Sequence, residues 1–161
     1  MWTRFLCEPH DVWALKTEPK NLARELRPYV LMTMSEADQE KIRRALRADG
    51  RTRVSARLAP VGIEWPMELA VIEAGRRYRD TSKNSLFKQW THDHQILPAS
   101  DGCLYVDEVA FESALPYCKA TALSMERLMK HRHRVAARYL PTELGGVGVS
   151  ALRLDCSSDA G

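Results

Sequence analysis

The stretch His92–Tyr117 reads HDHQILPASDGCLYVDEVAFESALPY and separates two segments with helical spacing. In the first segment, apolar residues lie near one side of a 3.6-residue helical period: Leu86, Trp90 and Leu97. Pro98 is predicted to end that helix, because proline disfavours the α region for the preceding residue and has no backbone N–H to donate. The turn formers Ser100, Asp101 and Gly102 follow, so the chain is expected to change direction here.

Helical spacing resumes after this turn. Apolar residues recur at three- and four-residue intervals over two successive segments: Val106, Val109, Ala110, Ala114, Cys118, Ala122, Met125 and Met129. Pro116 lies between the two segments and suits the first turn of a helix, where its missing N–H is not needed. Pro141 ends the second segment, which is the longest helical pattern in the chain.

A clear helix signal also lies much earlier in the chain, between Ser35 and Gly50. Ser35 is suited to cap a helix N-terminus, and Gly50 is suited to end that helix. Acidic residues in its first turns and basic residues in its last complement the helix dipole: Glu36, Asp38, Glu40, Arg43, Arg44 and Arg47. Three apolar residues are available to bury: Ile42, Ala45 and Leu46. A further helix is predicted to start at Pro66 and to run towards Tyr78.

These patterns predict an all-α, mostly helical fold, a single small domain of several helices with extended N- and C-terminal arms. The predicted organisation is an N-terminal arm with a solvated helix over 1–57, a helical core over 58–140 and a flexible tail over 141–161. At 161 residues the chain is one domain on length alone. Alternation of the kind that marks strands is nearly absent by this interpretation.

Composition excludes several classes of protein. The charged content of 28% and hydrophobic content of 45% are ordinary for a soluble chain. Uninterrupted apolar runs stay well short of the ~20 residues that a membrane span needs. The net charge of +3 is too small to indicate nucleic acid by itself. Basic residues are concentrated over 119–138, which favours a solvated helix face, with an acidic protein surface, anionic lipid or RNA as alternatives.

Candidate chemistry is sparse. Four cysteines have no paired ligand spacing, so free thiols in a reducing compartment are expected and zinc is not: Cys7, Cys103, Cys118 and Cys156. On a helix, the side chains of His92 and His94 point about 200° apart, so this pair holds one metal only if its backbone is extended. The same applies to His131 and His133. The glycine-rich segment 143–148 lacks the lysine of a P-loop, and no ordered triad signature indicates an enzyme.

Two short motifs carry a family resemblance. They are His94-Gln95-Ile96-Leu97-Pro98 and Leu115-Pro116-Tyr117, preceded by the segment Arg76–Asp80. Over roughly residues 58 to 138 the chain resembles the small matrix-side subunit of mitochondrial ubiquinol–cytochrome c reductase, respiratory complex III, also called its ubiquinone-binding protein. The link between the motifs is longer than in that family, and the first fifty or so residues have no counterpart there.

The resemblance implies a non-catalytic, structural and assembly subunit that lies peripherally on the matrix side of the mitochondrial inner membrane. Its partners would be cytochrome b and other complex III subunits, with respiratory supercomplex neighbours and anionic lipid as further candidates. It would bind no cofactor itself, since haem and quinone belong to partner subunits. The implied contact residues are Trp90, His94, Ile96, Leu97, Pro98, Leu115, Pro116 and Tyr117.

Two alternatives remain open at this point. An RNA-facing protein of an organellar ribosome would use Arg43, Arg44, Arg47 and the basic helix on phosphates, and its binding would weaken steeply with salt. The sequence has no recognised RNA-binding motif, which makes nucleic acid the less favoured partner. The other alternative is an accessory subunit of another respiratory complex or of an ATP synthase. His94 is interpreted either as a proton-handling residue or as a histidine that packs at a helix end.

Overall fold

The computed structural model describes residues 1–60 and 62–148. Within these residues the chain forms eight strands and four helices. In chain order they are β1 (Trp2–Phe5), α1 (Pro9–Thr17), α2 (Pro19–Leu26), β2 (Leu31–Met34), α3 (Glu36–Arg47), β3 (Arg51–Ala59), β4 (Ile63–Glu73), β5 (Arg77–Ser82), β6 (Phe87–Ala99), β7 (Gly102–Ser113), α4 (Cys118–Ala136) and β8 (Thr142–Gly148).

All eight strands belong to one antiparallel sheet, so the predicted all-α fold is wrong. The strand order is β2-β3-β4-β5-β6-β7-β1-β8. Strands β3 to β7 follow one another as hairpins, and β1 then lies between β7 and β8. Residues 1–57, predicted as an arm, supply strands to the same sheet as the rest of the chain. The protein is therefore a sheet-rich α+β domain.

The stretch His92–Tyr117 forms most of a β-hairpin rather than a helical elbow. Ala99 pairs with Gly102 across the turn, and His94 pairs with Asp107 farther along the hairpin. Inward-facing positions of both strands carry polar residues beside apolar ones, so hydrophobic alternation is hard to see in the sequence. Pro98 is tolerated because no strand lies opposite its nitrogen. The N–H of Ile96, two residues earlier and on the same side of β6, donates to the Arg76 carbonyl oxygen at 2.7 Å, and the pairing of β5 with β6 does not extend as far as Pro98.

Gly102 begins β7 at a point where β1 approaches very closely. Its φ of +143° is one that residues with a side chain rarely adopt. A Cβ added there would lie 2.1 Å from the carbonyl oxygen of Phe5. The backbone contact between the start of β7 and the end of β1 therefore requires glycine.

The helices pack on one face of the sheet and bury its inward-facing side chains. Helix α3 places Ile42 and Leu46 against Leu69 of β4. Near the turn of the β6–β7 hairpin, α1 and the end of α4 pack on the sheet, where Val12 and Ala136 join Phe5. A third cluster is largely aromatic and lies beside the middle of α4: Phe87, Trp90 and Met129, with Met1.

Two helices predicted from the sequence are confirmed. In α3 the Ser35 hydroxyl accepts from the Asp38 N–H at 3.1 Å, and the helix buries Ile42, Ala45 and Leu46 as expected. Helix α4 also occupies the segment predicted as the longest helix. The helix predicted from Pro66 towards Tyr78 is wrong, because these residues belong to β4, its turn and β5.

The remaining expectations have mixed outcomes. Cys7 and Cys103 are free thiols, but Cys118 forms a disulfide, contrary to the expectation of free thiols. Thr142–Gly148, predicted as part of a tail, pairs with β1 as strand β8. Residues 149–161 and Cys156 lie outside the described residues. Among the residues described, the helices are too short or insufficiently apolar to cross a membrane.

Candidate functional site

A cavity of about 170 Å³ lies between the sheet and helices α2, α3 and α4. Its walls are mostly apolar and include Leu22, Ile42, Leu58, Trp65, Met67 and Met129. The half-buried members of the lining include Leu22 of α2, Leu58 of β3, Trp65 of β4 and Leu128 of α4. An apolar cavity of this kind, with a few polar groups at one end, is the usual form of a small-molecule site.

Three buried polar residues from neighbouring strands reach this cavity. Asp80 of β5 lies opposite His92 of β6, and His94 follows His92 on the same strand. Residues two apart in a strand point to the same face, so both histidines face the helices. All three are less than one-tenth exposed. We call Asp80, His92 and His94 the polar floor of the cavity.

His94 is held on both ring nitrogens. Its Nε2 lies 3.1 Å from Asp80 Oδ2, and its Nδ1 lies 2.8 Å from Asp107 Oδ1 and 2.7 Å from the Tyr105 hydroxyl. The ring stacks on Tyr78, with centroids 4.1 Å apart. Burial alone would lower the pKa of His94, but Asp107 and Asp80 together raise it. His94 is therefore a well-oriented side chain between two carboxylates.

His92 lies beside it with less complete hydrogen bonding. The two imidazole centroids are 3.7 Å apart. His92 Nδ1 is 3.5 Å from Asp80 Oδ2, and Nε2 is 3.1 Å from Asp107 Oδ1 but is not aligned for a hydrogen bond. Burial and the neighbouring His94 lower the pKa of His92 to about 4. The pKa values of the two neighbouring histidines are therefore shifted in opposite directions, that of His92 down and that of His94 up.

Asp107 of β7 organises the groups behind the floor. The Tyr105 hydroxyl donates to its Oδ1 at 2.5 Å, and His133 Nε2 of α4 lies 3.1 Å from its Oδ2. His133 Nδ1 is in turn 2.6 Å from the Thr3 hydroxyl of β1. Burial alone would raise the pKa of Asp107, but His92 and His94 hold it well below its usual range. One carboxylate thereby links β6, β7 and α4.

A second buried charge group joins the helices, and two of its members, Lys16 and Arg132, also line the cavity. Lys16 of α1 donates to Glu25 of α2 at 2.7 Å, and Arg132 of α4 donates to the same Glu25 oxygen at 3.3 Å. Lys16 also lies over the Tyr105 ring, 4.7 Å from its centroid. Burial lowers the pKa of Lys16, and Glu25 opposes that shift. Because Lys16 and Arg132 share one carboxylate, much of their charge is already neutralised.

The lowered pKa of His92 predicts a loss of stability in acid. Between pH 6.5 and about 4 the unfolded chain binds a proton at this position and the folded chain does not, so the free energy of unfolding falls as pH falls. From the pKa difference, His92 contributes about 2 kcal/mol of this loss between pH 6.5 and 4.5. Urea unfolding at pH 6.5 and 4.5 should therefore show that the free energy of unfolding falls by about 2 kcal/mol less in His92→Gln than in the wild type.

The comparison with His92→Gln isolates this residue. Asp80 and Asp107 also have lowered pKa values, but their contributions are lost only as pH falls below the unfolded value of about 3.8. His133, whose pKa is lowered by burial, contributes equally to both proteins. Parallel pH dependences for wild type and His92→Gln would contradict the assignment.

The sequence-predicted contact residues do not form one surface. Trp90, His94 and Ile96 are buried and face the interior. The other five are exposed, in two places: Leu97 and Pro98 near the hairpin turn, and Leu115, Pro116 and Tyr117 before α4. The structure brings only His94 into the cavity floor; Trp90 lines the cavity beside it.

Sequence reasoning missed most of the site. His92 and His133 were considered only as members of His-x-His pairs, and six other buried polar residues were missed: Lys16, Glu25, Asp80, Tyr105, Asp107 and Arg132. The available signal was His92-x-His94 on one side of an Asp-Gly turn and Tyr105-x-Asp107 on the other, which aligns all four side chains if both segments are strands. The condition noted for a shared metal, an extended backbone, is met by β6. Asp80, His92 and His94 offer ligand atoms within 4.8 Å of one another.

Solved structures with a similar fold come mainly from bacteria and share little sequence. A Thermus thermophilus protein, TTHA0849, has a TM-score of 0.56 at 17% identity and covers 86% of this chain and 90% of its own. Chromobacterium violaceum protein CV1439 has a TM-score of 0.61 at 14% identity, with 89% and 96% covered. Ara h 8.0201 has a TM-score of 0.58 at 11% identity, with 86% and 93% covered. These likenesses concern the fold alone.

No curated protein matches the chain. The structural neighbours do not point to complex III or to a ribosome, and neither does the family model described next, so the respiratory and RNA-facing roles stay predictions. The model of the family described as Domain of unknown function (DUF8410) matches residues 3–140, which is most of the chain. The protein therefore belongs to the DUF8410 family.

Proposed function

We propose that the protein binds a small, mainly apolar molecule that carries one neutral hydrogen-bonding group. The observation that supports this most directly is an apolar-walled cavity that ends in the buried Asp80, His92 and His94. Burial of polar groups is costly unless they gain partners, so a chain that places three of them beside an apolar cavity favours a ligand with a matching polar end.

The size of the cavity limits the ligand. An apolar cavity of about 150 Å³ binds benzene in another protein, and the present cavity has about 170 Å³. A compact ring with one or two substituents is therefore the expected size class. Walls that include Met67, Met125 and Met129 are adaptable, since methionine side chains adjust to different shapes.

Charge favours a neutral polar group over an anion. On the cavity side of the sheet, the described buried charges comprise two cations, Lys16 and Arg132, and three carboxylates, Glu25, Asp80 and Asp107. Both cations already bind Glu25. A ligand carboxylate would thus meet cations that are already paired and would lie close to Asp80, whereas a hydroxyl can donate to Asp80 and accept from a histidine.

The proposal is tested with phenol and benzene as probes. Two-dimensional NMR of the full chain follows the indole N–H signals of Trp65 and Trp90, which both line the cavity. Phenol is expected to shift these signals saturably and to bind at least tenfold more tightly than benzene, because only phenol has a hydroxyl for the polar floor. Absence of saturable phenol binding up to its solubility limit would overturn the proposal.

Two matched variants locate the binding. Leu128→Trp fills the cavity from α4 and is expected to weaken phenol binding at least tenfold. Leu123→Trp makes the same change on the same helix at a position that is 57% exposed and outside the lining, so its affinity is expected to equal that of wild type. Thermal melts establish that both variants fold. Equal weakening in both, or in neither, would place any binding outside the cavity.

A further inference from the structure

We propose that Asp80, His92 and His94 form a binding site for one divalent transition metal ion, a two-histidine, one-carboxylate site at the cavity floor. The proposal concerns metal binding only and does not depend on the identity of any organic ligand. It is carried by the geometry of the three side chains, by the groups that orient them and by the local charge.

Ligand spacing supports a common metal ion. Asp80 Oδ2 lies 3.1 Å from His94 Nε2 and 3.5 Å from His92 Nδ1. Two donor atoms bonded to one metal at 2.0–2.2 Å, with an angle between the right angle of an octahedron and that of a tetrahedron, lie about 3.0–3.5 Å apart. The carboxylate oxygen is therefore at ligand-to-ligand distance from both imidazoles without any rearrangement of the strands.

Hydrogen bonds from neighbouring side chains orient His94 and Asp80 as ligands of a metal ion are usually oriented. With Nε2 directed to the metal, His94 presents Nδ1–H to Asp107 at 2.8 Å and to the Tyr105 hydroxyl at 2.7 Å. The Trp90 N–H donates to Asp80 Oδ1 at 3.1 Å, which leaves Oδ2 for the metal. A carboxylate behind a ligating histidine and a hydrogen bond behind a ligating carboxylate are both typical of metal sites.

His92 supplies an independent observation. It is 3% exposed, yet its Nε2 has no aligned hydrogen bond, and its Nδ1 lies 3.5 Å from Asp80 Oδ2. A buried histidine without a well-formed partner is uncommon and needs an explanation. Metal ligation through Nδ1 would fix the tautomer with the proton on Nε2, and a small rotation of the ring would then direct that N–H to Asp107 Oδ1, which is 3.1 Å away.

Charge and ligand type limit the ion. The carboxylates of Asp80 and Asp107 both lie at the histidines, whereas Lys16 and Arg132 bind Glu25, so a cation is favoured between Asp80 and the histidines. Two imidazoles and one carboxylate suit Zn²⁺, Fe²⁺ or Co²⁺, whereas Mg²⁺ and Ca²⁺ prefer oxygen ligands. Three protein ligands also leave coordination positions that face the cavity, where water or a ligand oxygen can bind.

The test uses the full chain stripped with a chelator and titrated with Co²⁺ and, separately, Zn²⁺. Calorimetry is expected to show one metal per chain, and Co²⁺ is expected to give the visible absorption bands of a bound ion of low coordination number. His92→Gln and His94→Gln should each weaken binding about 100-fold. His131→Gln, in the second His-x-His pair, should bind as wild type does. Mg²⁺ should not compete.

A readout on the wild type keeps the proposal falsifiable if a variant does not fold. Bound Co²⁺ is paramagnetic and is expected to broaden or shift the indole N–H signal of Trp90, which donates to Asp80, far more than that of Trp2. Absence of saturable one-to-one binding in the wild type would overturn the proposal. Unchanged affinity in both histidine variants, or no effect on Trp90, would overturn it equally by placing the metal elsewhere.

Discussion

Replacement of Asp107 by alanine is expected to lower the free energy of unfolding by about 4 kcal/mol. Asp107 is 2% exposed and accepts from Tyr105, while its two oxygens lie 2.8 Å and 3.1 Å from His94 and His133. Its loss removes one partner from each of three buried polar side chains, those of Tyr105, His94 and His133. Each unsatisfied buried group costs about 1–3 kcal/mol, and a broken buried ion pair about 3–5 kcal/mol.

The measurement is urea unfolding at pH 7, supported by thermal melts. For a chain of this length, a loss of this size lowers Tm by roughly 10 °C. Asp107→Asn, which keeps one acceptor oxygen but no charge, is expected to lie between alanine and wild type. Glu108→Ala is the control, because Glu108 is the next residue of β7 and is exposed. A change below about 1 kcal/mol in Asp107→Ala would show that the buried network contributes little to stability.

Gly102→Ala is expected to destabilise the protein by about 3 kcal/mol or more. The new Cβ would lie 2.1 Å from the Phe5 carbonyl oxygen and 3.0 Å from the Leu6 Cα, so either β1 or β7 has to move. The φ of +143° adds backbone strain of about 1–3 kcal/mol for a residue with a side chain. Both effects act at the point where the first strand joins the sheet.

Gly75→Ala separates the two effects. Gly75 has a φ of +70°, but a Cβ added there would have no atom within 4 Å, so only the conformational cost of about 1 kcal/mol is expected. Urea unfolding of both variants under the same conditions makes the comparison. A similar loss in the two variants would mean that β1 moves away from β7 at little cost.

Helices were predictable where local signals agreed with one another. Helix α3 has a capping serine, an acidic start, a basic end and a glycine after it, and its three apolar residues are the ones it buries. Such signals act within a few residues and need no knowledge of the rest of the chain. Helix α4 was also predicted from a local signal, because its apolar residues keep a helical period over its length.

Strands were missed where tertiary contacts override the local pattern. In β6 and β7 the inward positions hold His92, His94 and Asp107, which an amphipathic pattern counts as outward. These residues are stable inside only because they bind one another across strands. In β4, Glu64, Trp65, Met67 and Glu68 have an alternating component that was assigned to a helix because Pro66 suits a helix start. In β6 and β7 the polar interior therefore hid both the strands and the candidate site, whereas in β4 the position of Pro66 led to the wrong assignment.

The position of β1 has a consequence for how the chain folds during synthesis. Trp2 pairs with Val106, and β1 lies between β7 and β8, so this strand is synthesised before both of its partner strands and can pair only after they have followed it. The successive hairpins from β3 to β7 pair locally and can assemble earlier. Until β1 inserts, β7 presents an unpaired edge, which is a surface prone to aggregation. A chaperone that shields nascent strands would therefore matter most in the interval after β7 has been synthesised and before β1 has paired with it.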